Sequence, residues 1–471
     1  MPGERKEQRS NPIVSTSPVS RRAFLNAAAV LAGGAVVACS SDKVAGVLSP
    51  GTLRASNGLS NGGALEGRYD DGTPKFDHVI VVMQENRSFD HFLGWVPRAD
   101  GRQAGLKFAD NTGVSHHTYP LAPDYQGCGR NDPDHSYEGG RIQYDDGRCD
   151  GFLRGDNDIF AIGYYGRKDL DFFGQATRDW TIADRYFCSI LGPTFPNRIY
   201  QHAAQTDRLS NTFTISTLPT IWDRLAGAGR TGRYYYHDLP FLGLWGAKYL
   251  PIARPAATFY ADCAAGTLPD VAFLDPAFLQ EATGTGMDDH PHNDVRAGQN
   301  YLNEIYKAVT TGPKWDRTLL VINYDEWGGF FDHVAPPTRP ITASESSLGN
   351  DGRLGFRTPL MLVSPYARER QVASSVYDHT SVLKLIENRW NLQPLGVRDA
   401  NALSIGTALD FQQTPRTAPE YVVAPIVAGA ACPANGAPTT SALRATAPVR
   451  VEADEWGRLY DLAKSTGWRV P

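Results

Sequence analysis

An α/β domain with a mostly parallel central sheet, covered by helices on both faces, is the fold class this sequence predicts, and three features predict it. Compact aliphatic runs occur at residues 78–83 (HVIVVM), 318–324 (TLLVINY) and 359–363 (PLMLV). They lack polar alternation, as strands buried on both faces do. Between the first two, residues 294–310 carry apolar side chains at 295, 301, 302, 305, 306 and 309 and run into Thr311-Gly312-Pro313, which reads as a crossover helix with its stop signal. Finally, 41% hydrophobic and 21% charged residues suffice for a large buried core and exclude wholesale disorder.

Taken in chain order, the first 67 residues read as an address and a leash. Ser20, Arg21, Arg22, Ala23, Phe24 and Leu25 precede an apolar stretch at 27–38, the order of a twin-arginine export signal. Val36, Val37, Ala38 and Cys39 fit a lipobox whose thiol would be acylated; the same residues also fit an ordinary cleavage site. The expected partner is the twin-arginine export machinery. The expected location is the periplasm or cell envelope, or outside the cell. Residues 40–67, rich in Gly, Ser and Asn, suit a flexible linker. A folded body follows over 68–412. Within it, 97–160 reads as an elaborate loop region, and 378–390 (DHTSVLKLIENRW) as a helix capped by Asp378. Residues 413–471 form a tail expected to dock on the body, with an amphipathic stretch at 453–468.

The net charge of −5 excludes a generally basic nucleic-acid binder. No apolar run approaches the roughly 18 residues of a spanning helix. Six cysteines, at 39, 128, 149, 188, 263 and 432, show no CxxC pairing, so a zinc ribbon is not expected. In an oxidising compartment, Cys128 with Cys149 across a Gly/Asp-rich loop is the plausible disulfide.

The chemistry is concentrated after the apolar runs, where open α/β sheets bind ligands. The first run ends in Gln84-Glu85-Asn86-Arg87-Ser88, placing a carboxylate and an amide oxygen side by side, the hard donors a divalent cation takes. The 318–324 run ends in Asp325-Glu326-Trp327-Gly328-Gly329. Adjacent carboxylates repel unless a cation lies between them, and the glycines permit a sharp turn. Thr194, in Leu191-Gly192-Pro193-Thr194-Phe195-Pro196, falls at a helix start, where free N–H groups favour an alkoxide or a phosphate. His135, His237, His290, His292 and His379 lie in polar loops, and phosphoryl chemistry needs imidazoles to hold equatorial oxygens and protonate a leaving alcohol. Walker, GxSxG and HExxH motifs are missing, which disfavours nucleotide motors, serine esterases and zincin proteases.

Seven segments, FDHVIVVMQENRSFDHFLG, DPDHSYEGG, DRYFCSILGPTFPNRIY, DDHPHNDVRAGQ, YDEWGGFFDHVAPP, LGFRTPLMLVSPYA and YDHTSVLKLIE, occur in that order. Over residues 76–411 the chain thereby resembles the bacterial phosphoesterase family of phosphatidylcholine-type phospholipases C and acid phosphatases, within the alkaline-phosphatase-like superfamily. The resemblance implies an alkaline-phosphatase-like fold, one divalent metal ion held by Glu85, Asn86, Asp325 and Glu326, and Thr194 as the nucleophile that forms a phosphothreonine. It also implies that His135 and His290, with His237 as a weaker match, contact the phosphate or leaving group. His292, His333 and His379 fall in the same segments, touching substrate or buttressing the site. The implied activity is phospholipase C on phosphatidylcholine-like lipids. The alternatives are a broad acid phosphatase or a non-catalytic surface lipoprotein.

Overall fold

The computed structural model describes residues 75–432 and 455–471; the export motif, the lipobox and the linker lie outside the described residues. An eight-stranded sheet organises the body: β1 (His78–Gln84), β2 (Thr181–Ala183), β3 (Gly232–Tyr236), β4 (Ala253–Pro255), β5 (Val271–Asp275), β6 (Thr318–Tyr324), β7 (Leu360–Val363) and β8 (Val372–Ala373). Their spatial order is β8-β2-β7-β6-β1-β5-β3-β4. β1 lies at the centre, parallel to β6 in the register His78↔Thr318 to Gln84↔Tyr324 and parallel to β5 on its other side. Only the pairings of β7, with β6 and with β2, are antiparallel.

The unbroken apolar runs are explained by what they touch. Alternate side chains of a strand face opposite ways, and here both faces are covered. Val79, Val81, Leu319 and Val321 enter one core, and Ile80, Val82, Leu320 and Ile322 enter the other. The helices follow from their caps and apolar faces. Ser88 caps α1 (Phe89–Leu93), and Ser136 caps α2 (Tyr137–Tyr144). α3 (Thr194–Ala203) places Phe195 and Ile199 on the first core. α4 (Val295–Thr311), capped by Asp294, places Tyr301, Leu302 and Ile305 on the second. Asp378 caps α5 (His379–Trp390) through the Thr380 N–H. α6 (Glu455–Ser465) packs Leu459 and Ala463 into the first core.

Several expectations need correction. Cys128 bonds Cys432, 304 residues away, with a Cα–Cα distance of 5.5 Å, and not Cys149. The intervening chain is not a simple loop: α2 and the turn at Asp145–Gly147 precede Cys149, which enters a third apolar cluster with Phe152 and Leu191, where burial pushes its thiol up to about 12. The 97–160 region also contains a small hairpin, Lys107–Ala109 with Ser115–His117. β2, β3, β4, β5 and β8 were not foreseen, being short or, like GRYYY at 232–236, lacking an aliphatic run.

Candidate active site

The carboxyl ends of β1 and β6 are neighbours in a parallel pair, so the residues that follow them emerge together. Arg87 N–H donates to Glu326 O (3.1 Å), and Asp325 N–H donates to Gln84 O (3.1 Å), tying the two turns. Asn86 adopts φ +55, its N–H bound to Asp325 Oδ1 (3.0 Å). Gly328 comes so close that a Cβ there would lie 2.2 Å from Asn86 O, and its φ is +63. The sequence DEWGG is thus required by backbone approach as well as by turning.

Thr194 reaches this point from α3. Asn197 braces the preceding turn: it accepts from Ile190 N–H (3.0 Å) and donates to the carbonyls of Gly192 (2.8 Å) and Pro193 (3.1 Å). Thr194 Oγ1 then donates to Glu85 Oε2 across 3.3 Å, between two buried side chains. One helical turn later on the same face, buried Arg198 donates to Glu85 Oε1 (2.7 Å), Asp275 Oδ1 (3.0 Å) and Met83 O (3.1 Å). Its Nε lies 3.7 Å from Asp325 Oδ2. The three carboxylates thus follow or end β1, β5 and β6. Burial pushes Glu85 well above the usual carboxylate range; Arg198 opposes this and Asp325 adds to it.

The chain's own residues fit a hard divalent cation here. Asn86 Oδ1 and Asp325 Oδ2 are buried oxygens that accept no hydrogen bond, and two like-charged carboxylates adjoin them. Such groups are costly unless a cation or proton compensates them. Glu326 directs Oε2 to the Gly328 N–H (2.7 Å) and Oε1 towards His135 Nε2 (3.9 Å).

The histidines divide by position. His135 donates Nδ1–H to Pro133 O (2.8 Å), so Nε2 faces the site, 3.4 Å from Asn86 Nδ2. His290 Nε2 is 3.8 Å from Asp132 Oδ2, its Nδ1 is 3.9 Å from Glu281 Oε2, and its ring stands edge-on to His135 at 6.0 Å. Donor atoms of Asp132, His135 and His290 lie within 4.8 Å of one another, a second group able to hold a cation. A cleft of about 140 Å³ opens beside them, lined by Asp132, Asp134, His135, Pro193, Asn211 and Glu455 among others. His237, directly after β3, packs its ring on Tyr301 at 5.2 Å, and burial lowers it to about 4. His292 hydrogen-bonds Gln126 O (3.2 Å), and His379 bonds Tyr324 O (3.1 Å) from beneath the sheet end, so both buttress. His333 belongs to a separate cluster with Asp90 and Asp332.

Arg198, Asp275, Asp132 and Glu281 had not been singled out from the sequence. The signals were available: Arg198 is i+4 from Thr194, and Asp275 ends a strand (VAFLD) as Asp325 follows one.

Comparison with known proteins places the chain in a family. The chain is 30% identical over 381 residues to non-specific phospholipase C6 of Arabidopsis thaliana, covering 72% of this chain and 73% of that protein. It is 29% identical over 418 residues to phospholipase C B of Mycobacterium tuberculosis, covering 72% and 78%. Among solved structures, phosphonate monoester hydrolase of Agrobacterium radiobacter overlays with a TM-score of 0.32 at 10% identity, over 68% of this chain and 74% of that one. That likeness is too distant to bear on the site. The Phosphoesterase family matches residues 76–393, about two thirds of the sequence, and the protein belongs to that family as a hydrolase of phosphoric ester bonds.

Proposed function

We propose that this hydrolase is a metal-dependent phospholipase C that cleaves phosphatidylcholine-like lipids through a phosphothreonine at Thr194. The observation that carries the reading is the hydroxyl of Thr194 on Glu85 Oε2, at the junction of oxygen donors from two strand ends. A divalent cation held by Glu85, Asn86, Asp325 and Glu326 would supply Lewis-acid charge to the phosphoryl oxygens and lower the hydroxyl's pKa. Thr194 attacks phosphorus in line, its proton directed at Glu85. His135 and His290 flank the opposite side, where one protonates the departing alcohol and the other holds an equatorial oxygen. Water then hydrolyses the phosphothreonine. Arg198 keeps Glu85 and Asp275 in place throughout.

Relatives named phospholipase C, matched over nearly three quarters of the chain, support a lipid phosphodiester over a small monoester. The Arg21-Arg22 motif and Cys39 support export by the twin-arginine route and a lipid anchor, which would hold the enzyme against its substrate. The test is purified protein assayed in parallel on phosphatidylcholine, sphingomyelin and p-nitrophenyl phosphate, before and after chelation. Highest kcat/KM on phosphatidylcholine and loss of activity on chelation are expected. A preference for the monoester would assign an acid phosphatase, and undiminished turnover by metal-stripped protein would remove the cation.

A further inference from the structure

The matched region ends at residue 393, yet two side chains from well beyond it stand at the site. α3 begins without a side-chain cap of its own, since Pro193 occupies the cap position and Thr194 is turned to Glu85. The second N–H of the helix, that of Phe195, is instead taken by Asn211 Oδ1 at 2.8 Å. Asn211 Nδ2 donates to Glu455 Oε2, which fixes which end of the amide faces α3. The next residue of the same turn, Trp456, stacks on Phe278 at 4.3 Å with a 9° interplanar angle and leans on Phe195 at 5.7 Å. Its indole N–H donates to Glu281 Oε2, and that carboxylate oxygen lies 3.9 Å from His290 Nδ1, whose own hydrogen bond goes to Pro291 O. The rest of α6 is anchored: Leu459 and Ala463 are buried, and Trp468 donates to Gly246 O (2.8 Å).

We infer that Glu455 and Trp456 are positioning residues, and that the first turn of α6 sets the separation between the nucleophile Thr194 and the leaving-group histidine His290. One arm runs Glu455–Asn211–Phe195 to the start of the nucleophile's helix. The other runs from Trp456 to Glu281, whose carboxylate stands beside the His290 ring. Each is proposed to act through another group, Asn211 for Glu455 and Glu281 for Trp456. The inference rests on the hydrolase reading for the roles of Thr194 and His290, while the contacts themselves can be tested without it. In-line transfer is sensitive to small displacements, so loosening either arm should slow chemistry more than it weakens binding.

The test is a set of full-length variants, read by kinetics and by amide hydrogen exchange. Trp456→Phe keeps an aromatic ring against Phe278 and removes the N–H together with part of the indole. It should lower kcat about tenfold, with KM within about twofold and an unchanged melting temperature. Glu455→Ala should lower kcat by a similar factor and speed exchange in the first turn of α3, whereas Glu455→Gln, whose amide oxygen can still accept from Asn211, should recover most of both. Wild-type kcat in Trp456→Phe and Glu455→Ala, with α3 exchange unaltered, would overturn the inference. Equal losses in Glu455→Gln and Glu455→Ala would overturn the Glu455 arm. A wild-type protein idle on every ester would remove the hydrolase reading instead, and exchange in α3 would still decide whether the Glu455 arm orders that helix.

Discussion

Two buried clusters follow β1 and β6 only a few residues apart, and they differ in one respect. At Asp90 and Asp332 every carboxylate oxygen is taken: Arg357 donates to Asp332 Oδ1 (2.9 Å) and Asp90 Oδ1 (3.1 Å), and His333 N–H donates to Asp90 Oδ2 (2.9 Å). At Glu85, Asn86, Asp325 and Glu326 the guanidinium of Arg198 satisfies only part of the set: Asn86 Oδ1 and Asp325 Oδ2 accept no hydrogen bond among the described residues, Arg198 Nε standing 3.7 Å from the latter. The same donor chemistry therefore yields a closed knot in one place and an open acceptor site in the other. Hydrogen-bond satisfaction separates them, and the oxygens without a hydrogen bond lie beside Thr194 and Glu85.

The contrast is sharpened most strongly by exchanging one partner in each cluster. Asp325→Asn should cost at least about 10³-fold in kcat while moving the melting temperature little. Arg357→Met strips the guanidinium from buried Asp332 and from Asp90, which keeps His333 beside it, and should destabilise by about 3–5 kcal/mol, with near-normal kcat in the fraction that stays folded. Calorimetry and steady-state kinetics on both proteins check this, and the reverse pattern would erase the distinction. A smaller effect separates the histidines. His135→Asn should reduce kcat by about 10²-fold, and His237→Asn, whose ring sits on Tyr301, by markedly less. Equal losses would bring His237 into the reaction.

The smallest effect is in pH. Burial alone would depress His333, but the hydrogen bond and charge of Asp90 outweigh it and hold the imidazole above its ordinary value. The stabilisation it gives is complete below about pH 6.5 and is lost as pH rises through the elevated folded value. His202 behaves oppositely. Burial, then Arg198, lower it from 6.5 to about 3, so its contribution is complete above about pH 6.5 and falls away towards pH 3. Each follows a one-proton slope of about 1.4 kcal/mol per pH unit within its window. His333→Gln should flatten the alkaline side of a stability profile and His202→Phe the acid side; unchanged limbs would contradict the assignments.

Much of this was legible in the sequence where local signals were strong. HVIVVM and TLLVINY form the central parallel pair because strands buried on both faces must be apolar throughout. The carboxylates after them could be foreseen because strand ends in such sheets are where ligands bind. Other features depend on contacts no local pattern records. Cys128 meets Cys432 because the tail returns across the body, and Arg198 matters because α3 aims it at three strand ends. Glu455 and Trp456 read as one end of an amphipathic surface helix, since amphipathicity reports burial and not the identity of what is covered.

The most direct test of the central claim is to quench the enzyme with acid during turnover of phosphatidylcholine and to map covalent phosphate by peptide mass spectrometry. The account predicts one phosphoryl group on Thr194 in the wild-type protein and none, with no turnover, in Thr194→Ala. Full turnover by that variant, or phosphate on a different residue, would contradict it.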